Sequence, residues 1–458
     1  MNRVVSALIE AVGADAVIHG EELAQRATSY WDATPISAIA LVRPGTTEQV
    51  SQVLRLCHQY QQPVVTHGGK TNCVRSADAT EHEVILSTER MTAIETVDPL
   101  GGTATVQAGA VLQVVQEALA NQGLLFPLDL GARGSCTIGG NVATNAGGIN
   151  VLRYGMIRDL VLGLEVVLAD GTIVSSMNQM LKNNAGYDLK QLFIGSEGTL
   201  GVVTRVVLKL FPKPLSCNTA MLALDSFEQV IALLHTMQRN LAGTLSAYEV
   251  MWGNYFHAVT AQGWHRAPMG RDHPYYVILE AEGSDIEADN VRFNRLLEQV
   301  YEQGGIVDAV ISKSEAERRA LWDIRENFDA ILEMAPYYLY DISLPIKDMA
   351  AYMEQVQASL KQNWPEGSCI ALGHIADGNL HLFMVPGQEG DNHQQCDEIV
   401  YQPLKQYQGS VSAEHGIGLE KKSWLGHSRS TAEIDVMRAL KRTLDPSGLL
   451  NAGRVFDS

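Results

Sequence analysis

The stretch Asp-Leu-Gly-Ala-Arg-Gly-Ser-Cys-Thr-Ile-Gly-Gly-Asn-Val-Ala-Thr-Asn-Ala-Gly-Gly at residues 129–148 contains six glycines and almost no large side chain. Glycine loses more backbone entropy on folding than other residues, so this density indicates unusual φ angles or a backbone packed closely against another group. Two more glycine-rich windows lie at 66–72 and 195–201, and all three carry small hydroxyl side chains. Backbone N–H groups in such loops can bind phosphate, so the windows suit a long phosphate-bearing cofactor, with ordinary turns as the alternative.

Two common nucleotide-binding motifs are missing from the sequence. Gly69-Lys70-Thr71 resembles the end of a P-loop, but Val64 stands where that motif needs its first glycine. No Gly-x-Gly-x-x-Gly lies between a strand pattern and a helix pattern, which argues against a Rossmann dinucleotide site. The sequence therefore predicts neither a nucleotide triphosphatase nor a Rossmann domain.

The composition of the 458-residue chain, with 46% apolar and 19% charged residues, predicts about two to four folded domains. Its 34 Lys and Arg against 52 Asp and Glu give a net charge of −18, which argues against nucleic acid or an anionic membrane as the main partner. We find no apolar run long enough for a membrane span or a secretory signal. Six cysteines without paired spacing indicate reduced thiols, so the expected compartment is the cytoplasm.

The order of strand and helix patterns predicts an α+β fold. Thr46 and Gln49 form a capping-box pattern at the start of a helix in the first half of the chain. An apolar strand at 202–211 ends at Pro212 and Pro214, which places a domain boundary near residue 216. Further strands are predicted at 38–42, 83–87, 104–109, 276–281, 369–373 and 380–385, and helices at 111–121, 314–332 and 347–361.

Two histidines flank the turn signal Asp377-Gly378. A two-residue hairpin turn at these positions predicts that His374 lies directly opposite His381, with their Cβ atoms about 4.5–5.5 Å apart. Two imidazoles at that distance can bind one metal ion, whereas a pair of partly buried structural histidines is the alternative. Glu414, followed by His415 in a glycine-flanked segment, adds a carboxylate and favours a His2Glu site of the catalytic type.

Three long motifs resemble the FAD-linked D-2-hydroxyacid dehydrogenases, which are oxidoreductases of the vanillyl-alcohol-oxidase type. They are Pro-Leu-Asp-Leu-Gly-Ala-Arg-Gly-Ser-Cys-Thr-Ile-Gly-Gly-Asn at 127–141, Asn-Ala-Gly-Tyr-Asp-Leu-Lys-Gln-Leu-Phe-Ile-Gly-Ser-Glu-Gly-Thr-Leu-Gly at 184–201 and Ser-Ala-Glu-His-Gly-Ile-Gly at 412–418. The resemblance is to the branch that holds the D-2-hydroxyglutarate and D-lactate dehydrogenases. It implies an α+β flavoprotein with a vanillyl-alcohol-oxidase-type FAD-binding domain of two α+β subdomains at 1–216. An α+β substrate (cap) domain with an antiparallel sheet would follow at 217–430, and 431–458 would return to the FAD domain.

The resemblance also implies the roles of individual residues. It assigns the catalytic base to His415 and a divalent metal to His374, His381 and Glu414, with zinc expected and manganese or iron(II) as alternatives. The residues expected at the substrate are Arg325, Asp329, Leu339, Phe383, His374 and Asn379. The residues expected at non-covalently bound FAD are Thr66, Gly68, Gly69, Lys70, Thr71, Asn72, Pro127, Asp129, Gly131, Ser135, Cys136, Thr137, Gly139, Gly140, Asn141, Thr144, Asn145, Gly147, Gly148, Glu197, Gly198, Gly201, Val203 and Asn451.

The expected reaction is oxidation of a D-2-hydroxyacid to the 2-oxoacid by hydride transfer to the flavin N5 atom. On its own sequence context Arg325 would be a solvated surface arginine, but the resemblance makes it the clamp for the substrate C1 carboxylate. A metal-dependent hydrolase and a non-catalytic flavin-binding subunit are the alternatives of another class. An electron-transfer flavoprotein, a quinone and oxygen all remain open as electron acceptor, and a homodimer remains open as the assembly.

The substrate itself is expected to carry one carboxylate. D-2-hydroxyglutarate dehydrogenases resemble this sequence but have Thr, Lys and Asn for the distal carboxylate where it has Asp329, Leu339 and Phe383. Two donors are replaced by apolar side chains and the third by an acid, so a second carboxylate would be left unpaired. The sequence therefore predicts D-lactate or a larger apolar relative, with D-2-hydroxyglutarate or D-malate as the alternative.

Overall fold

The protein is described by a computed structural model that covers residues 2–388 and 390–457, which pack as two units. The first unit consists of residues up to 147, 155–213 and the segment from 414 onward, and the second of 148–154 and 214–413. Residues 1 and 458, which bound the expected first and last domains, lie outside the described residues, as does Glu389. The chain thus returns to the first unit at 414, earlier than the expected 431, and the functional assignment of the two units remains a prediction.

The first unit contains two main sheets, which matches the expected pair of α+β subdomains. One is four-stranded, in the order Val17–Ile18, Ala40–Val42, Val84–Ser87 and Val64–His67, with its last three strands parallel. The other is antiparallel, in the order Ile94–Asp98, Thr103–Gln107, Val202–Lys209, Val161–Val167 and Ile173–Ser176. A small ladder pairs Leu124–Leu125 with Phe211–Pro212.

In the helices Arg3–Val12 and Thr47–Gln59 of the first unit, apolar residues recur at helical spacing and form one buried face. The Thr46 hydroxyl accepts the N–H of Gln49 at 3.2 Å, so the predicted cap begins the helix Thr47–Gln59, while the Gln49 side chain accepts from Gly45. One face of that helix packs into the core of the four-stranded sheet. The helices of this unit are Arg3–Val12, Thr47–Gln59, Leu112–Ala120, Ile138–Thr144, Ile157–Leu160, Lys190–Phe193, Leu425–Ser428 and Thr431–Leu444, with 3-10 turns at Ala14–Ala16, Gly20–Gln25 and Lys422–Trp424.

A seven-stranded antiparallel sheet forms the centre of the second unit, which confirms the expected sheet of the cap domain. Its order is Asp308–Ile311, Ser216–Leu224, Tyr275–Gly283, Leu245–Trp252, Ser368–Gly373, Asn379–Val385 and Tyr338–Ser343. The helices are Val151–Tyr154, Phe227–Leu241, Gly253–Val259, Ile286–Glu302, Glu315–Glu326, Asp329–Leu332, Met349–Asn363 and His393–Tyr401, with 3-10 turns at Ile346–Asp348, Ile375–Asp377 and Gln402–Lys405.

The helix predicted at 314–332 is wrong as a single element. It ends at Glu326, because Asn327 takes an extended backbone conformation and the Asn327 side chain accepts the N–H of Asp329, where a new short helix begins. Among the described helices, none combines the length and the apolar character needed to cross a membrane.

His67 is a buried histidine at the end of the strand Val64–His67. Its ring Nε2 donates to the carbonyl oxygen of Ala77 at 2.7 Å. Burial lowers the pKa of His67 to about 4, because the charged imidazolium would lose its hydration. The uncharged imidazole of His67 therefore connects the end of the strand to the following loop through its hydrogen bond to Ala77.

We expect the stabilising effect of neutral His67 to disappear in acid. Between the unfolded pKa of about 6.5 and the folded pKa of about 4, the unfolded chain binds a proton that the folded chain does not. The contribution is complete above pH 6.5 and is lost as the pH falls to 4, by up to about 3 kcal/mol. The control is His67→Gln, whose amide can still donate to Ala77 but does not titrate. Urea unfolding should show that the wild type loses free energy of unfolding relative to this variant as the pH falls from 6.5 to 4. A difference that is constant with pH would contradict the assignment.

Candidate active site

The three glycine-rich windows of the sequence pack against one another within the first unit. A Cβ atom on Gly68 would lie 2.6 Å from the Thr137 hydroxyl, and one on Gly69 would clash with the carbonyl oxygen of Ser135. The window at 195–201 joins the same cluster, since the N–H groups of Gly195 and Glu197 donate to carbonyls of the helix Ile138–Thr144. Only glycine permits these close approaches, so the structure explains the high glycine content of the windows by close packing of the backbone.

Asn451 connects two of the windows from the C-terminal segment. Its Oδ1 atom accepts the N–H of Thr66 at 2.9 Å, and its Nδ2 atom donates to the carbonyl oxygen of Glu197 at 2.6 Å. Thr66 also has a buried hydroxyl that finds no hydrogen-bond partner among the described residues. A buried polar atom of this kind, beside backbone that only glycine can form, fits a site for a polar cofactor such as FAD.

All residues expected at FAD lie in the first unit, with one exception. Gly148 is the exception, because it lies in the segment that packs with the second unit. Gly131 and Ser135 are exposed, and the Asp129 carboxylate is bonded to Arg133 at 2.8 Å. Their contacts to FAD stay predictions, as does non-covalent binding.

The segment that carries His415 is held by two residues expected at FAD. The Asn72 side chain donates to the His415 carbonyl oxygen at 2.7 Å. The Glu197 carboxylate accepts the N–H groups of Ile417 at 2.7 Å and Gly418 at 2.9 Å. Burial raises the pKa of Glu197, although these backbone bonds oppose the rise. The structure thus gives Glu197 a task that the sequence did not predict, which is to hold the loop after the expected base.

The predicted hairpin register at the two histidines is wrong. Residues Ile375–Asp377 form a 3-10 turn and Gly378 takes a φ of +91°, so the loop closes where the Asn379 N–H donates to the His374 carbonyl oxygen. His381 therefore lies opposite Leu372, one residue before the end of the strand Ser368–Gly373. The longer turn takes His374 out of the strand ladder, and its ring nevertheless lies with its centroid 5.3 Å from that of His381.

His374, His381 and Glu414 still offer a set of metal-ligand atoms. The rings of His374 and His381 lie side by side in the second unit, with their centroids 5.3 Å apart. Glu414 belongs to the first unit, so its place as the third ligand stays a prediction. Two imidazoles and a carboxylate suit a divalent transition metal, with coordination positions left for water or substrate. The donor set therefore fits the metal that the sequence resemblance implies.

Arg325 lies inside the second unit with 8% of its surface exposed. The interpretation of Arg325 as a solvated surface arginine, based on its charged helix alone, is therefore wrong. The Nε atom of Arg325 donates to Oε2 of Glu249 at 2.9 Å, and its Nη2 atom lies 2.8 Å from the same oxygen as an ion pair. Oε1 of Glu249 accepts from Nδ1 of His374 at 2.6 Å. Burial opposes a charge on Glu249, but His374 and Arg325 outweigh it and lower the pKa of this carboxyl. No pattern in the sequence points to Glu249, because Arg325 and His374 are both far from it along the chain.

The three positions expected to select the substrate have different surroundings. Leu339 and Phe383 are directly opposed on neighbouring strands, and Phe383 is only 2% exposed, with Phe328 and Tyr337 packed around its ring. Asp329 is exposed at the start of its short helix. The side-chain amide of Asn379 donates to Oδ1 of Asp341 and to the Ile342 carbonyl, both at 2.9 Å. The apolar pair is therefore a feature of the fold, whereas their contacts to substrate stay predictions.

Comparison with known proteins identifies the family. A model described as FAD linked oxidases, C-terminal domain, matches residues 213–455, and one described as FAD binding domain matches 38–176. A D-2-hydroxyglutarate dehydrogenase of Xanthomonas citri pv. viticola is 40% identical over 437 residues, which cover 94% of this chain and 91% of that one. This chain belongs to the FAD-linked D-2-hydroxyacid dehydrogenases.

Other relatives agree with this assignment. The mitochondrial D-2-hydroxyglutarate dehydrogenase of Bos taurus is 40% identical and covers 91% of this dehydrogenase and 76% of its own length. A mitochondrial protein of Schizosaccharomyces pombe that carries a provisional D-lactate dehydrogenase name is 37% identical, with 89% and 80% covered. Among solved structures, p-cresol methylhydroxylase superposes with a TM-score of 0.78 at 16% identity, covering 100% of this chain and 97% of that one. The predicted family and the vanillyl-alcohol-oxidase-type fold are confirmed.

We expect Glu197→Gln to slow flavin reduction in this dehydrogenase without removing FAD. An amide can accept only one of the two backbone bonds and places its own N–H groups against the other, so the segment that carries His415 should shift. A displacement of about 1 Å can reduce a rate about 100-fold. Stopped-flow reduction by substrate, with FAD content measured by absorbance, provides the readout.

The matched control is Glu165→Gln, which changes another buried carboxylate of the first unit. Glu165 accepts from Thr47 at 2.7 Å and from Ser175 at 3.0 Å and does not contact the His415 segment. Equal reduction rates in the two variants would contradict the role of Glu197.

Proposed function

We propose that this dehydrogenase oxidises D-2-hydroxyglutarate to the corresponding 2-oxoacid with FAD and a divalent metal. The approach of the His374 and His381 rings is the observation that supports the reaction class, with Glu414 as the expected third ligand and His415 as the expected base. The 40% identity to proteins named D-2-hydroxyglutarate dehydrogenase favours that substrate over the monocarboxylic acid expected from the sequence. The family assignment favours a dehydrogenase over the hydrolase and the non-catalytic subunit.

The bound groups would supply the chemistry that amino acids lack. The loops around Thr66, Gly68 and Asn451 would hold FAD, which would supply an acceptor for the hydride from C2 of the substrate. His374, His381 and Glu414 would hold a divalent metal, whose Lewis acidity would make the 2-hydroxyl easier to deprotonate.

The residues of the chain would bind the substrate and move its proton. Arg325 donates to the C1 carboxylate through the N–H groups that Glu249 does not occupy, which fixes the position of C2. A ring nitrogen of His415 accepts the proton of the 2-hydroxyl as the C2 hydrogen leaves with its electron pair. One C–H and one O–H bond break and the C=O double bond forms, so the substrate loses two electrons and two protons in total.

A second candidate, oxidation of a monocarboxylic D-2-hydroxyacid, is favoured by one observation. Leu339 and Phe383 form a cross-strand apolar pair where relatives are expected to bind a distal carboxylate. An apolar pair cannot neutralise that charge, and a carboxylate buried against it would be unpaired. A methyl, alkyl or phenyl group would fit these side chains better.

We expect His415→Ala to keep the flavin spectrum and to lose its bleaching by substrate. The variant retains the backbone bonds that hold the segment but lacks a group to accept the hydroxyl proton, and removing a general base lowers rates by about 100- to 10,000-fold. Anaerobic addition of substrate, followed by flavin absorbance, measures the effect. His427→Ala serves as a control histidine on the neighbouring helix Leu425–Ser428. Bleaching of His415→Ala at the wild-type rate would exclude His415 as the base.

We expect D-2-hydroxyglutarate to have the highest kcat/KM in a series with D-malate, D-lactate, D-2-hydroxybutyrate and D-mandelate. A margin of about tenfold corresponds to about 1.4 kcal/mol of differential binding in the transition state. The series is measured with one electron acceptor and one enzyme preparation. A monocarboxylate that exceeds both dicarboxylates by that margin would replace the first candidate with the second, and the absence of turnover with every member would reject the proposed reaction.

A further inference from the structure

We propose that Glu249 is a positioning residue that sets His374 for the metal and Arg325 for the substrate through its two carboxylate oxygens. The inference rests on the proposed function and adds to it a residue that does not itself bind metal or substrate. Glu249 lies on the strand Leu245–Trp252 of the seven-stranded sheet with 1% of its surface exposed.

The first oxygen acts on the imidazole of His374. Oε1 lies 2.6 Å from Nδ1, and because a carboxylate only accepts, the ring nitrogen donates. A proton fixed on Nδ1 leaves the lone pair of Nε2 for a metal ion. A carboxylate partner behind a metal-binding histidine orients the ring and raises its basicity. Glu249 would thus select both the tautomer and the angle of the first ligand.

The second oxygen acts on the guanidinium of Arg325. Oε2 accepts from Nε at 2.9 Å and forms an ion pair with Nη2 at 2.8 Å. The Tyr255 hydroxyl donates to the Arg325 carbonyl oxygen at 2.8 Å. Main chain and side chain of the arginine are therefore both held. A buried arginine without this carboxylate would be an unpaired charge, and its head group would have no fixed direction.

The same sheet contains a second buried glutamate with a purely structural set of partners. Glu280, on the strand Tyr275–Gly283, accepts from Arg318 at 2.7 and 2.9 Å, from Trp322 at 3.0 Å and from Thr219 at 2.6 Å. None of these partners belongs to the candidate active site. Glu249 differs from Glu280 in bonding to a candidate metal ligand and to the candidate substrate clamp, which is the reason for assigning it a functional task.

The test compares binding of Zn²⁺ to metal-free, FAD-loaded protein by isothermal titration calorimetry. We expect Glu249→Gln to bind Zn²⁺ about 10- to 100-fold more weakly than wild type, as is usual when the partner of a metal-binding histidine is changed. Glu280→Gln, which breaks a buried Glu–Arg pair in the same sheet, should bind like wild type. With Zn²⁺ saturating, Glu249→Gln should also raise KM for the 2-hydroxyacid, because Arg325 loses its anchor.

A second variant, Glu249→Asp, allows the same test if Glu249→Gln does not fold. It keeps a negative charge beside Arg325 but is one methylene shorter, so we expect wild-type FAD content with weakened Zn²⁺ binding. Unchanged Zn²⁺ affinity and KM in both Glu249 variants would overturn the proposal and leave Glu249 a structural residue.

Failure of the underlying metal site gives a different result. His374→Ala should abolish tight Zn²⁺ binding, and a wild type that binds no Zn²⁺, or a His374→Ala variant that binds it normally, would overturn the metal site and the His374 part of this proposal together. In that case the KM comparison between Glu249→Gln and Glu280→Gln still decides the Arg325 part, since equal KM values would overturn it as well.

Discussion

A carboxylate that folds away from water must be compensated, and Glu249 in the second unit, with 1% of its surface exposed, is under this constraint. Its compensation comes from Arg325 and His374, which are themselves buried and bonded to it. Removing one partner of such a buried set usually costs about 3–5 kcal/mol, because the remaining charge stays in the interior. The helix that carries Arg325 and the turn that follows the strand Ser368–Gly373 are thus tied to one strand by one side chain. The folding requirement and the geometry of the candidate site are met by the same bonds.

The first unit meets the constraint with backbone donors. Glu197 is buried and accepts N–H groups of Ile417 and Gly418, while Asp445 accepts those of Leu449 and Leu450 and pairs with Lys441. Bonds of this kind do not depend on the side chains of the residues that donate. The Glu197 carboxylate holds the main chain of the segment 414–418, so the side chains of Glu414 and His415 are not needed to fix it and are available for their expected roles. In this way the return of the chain to the first unit positions the expected base.

The sequence predicted those features that depend on local rules and missed those that depend on long-range register. Glycine density identified loops that approach each other closely, and the structure packs them together around residues such as Gly68 and Gly69. The Asp377-Gly378 signal located a turn, but not its type, because a 3-10 turn and a two-residue hairpin share that signal and differ in where the strands close. Glu249 could not be found, since its partners are reached only after the strand order of the sheet is known. Arg325 was found through the family pattern, not through its charged helix.

We expect the reaction and the choice of substrate to depend on different residues of the chain. The chemistry at C1 and C2 is common to all D-2-hydroxyacids, and the residues proposed for it are Arg325, His374, His381, Glu414 and His415. High sequence identity to members of the family is therefore informative mainly about the residues that act at C1 and C2 of the substrate. We expect the distal end of the substrate to meet other side chains, and at the positions expected to face it Leu339 lies opposite Phe383. A second carboxylate would thus require a cation or donor from outside this pair, because a charge buried against apolar side chains alone loses its hydration without compensation.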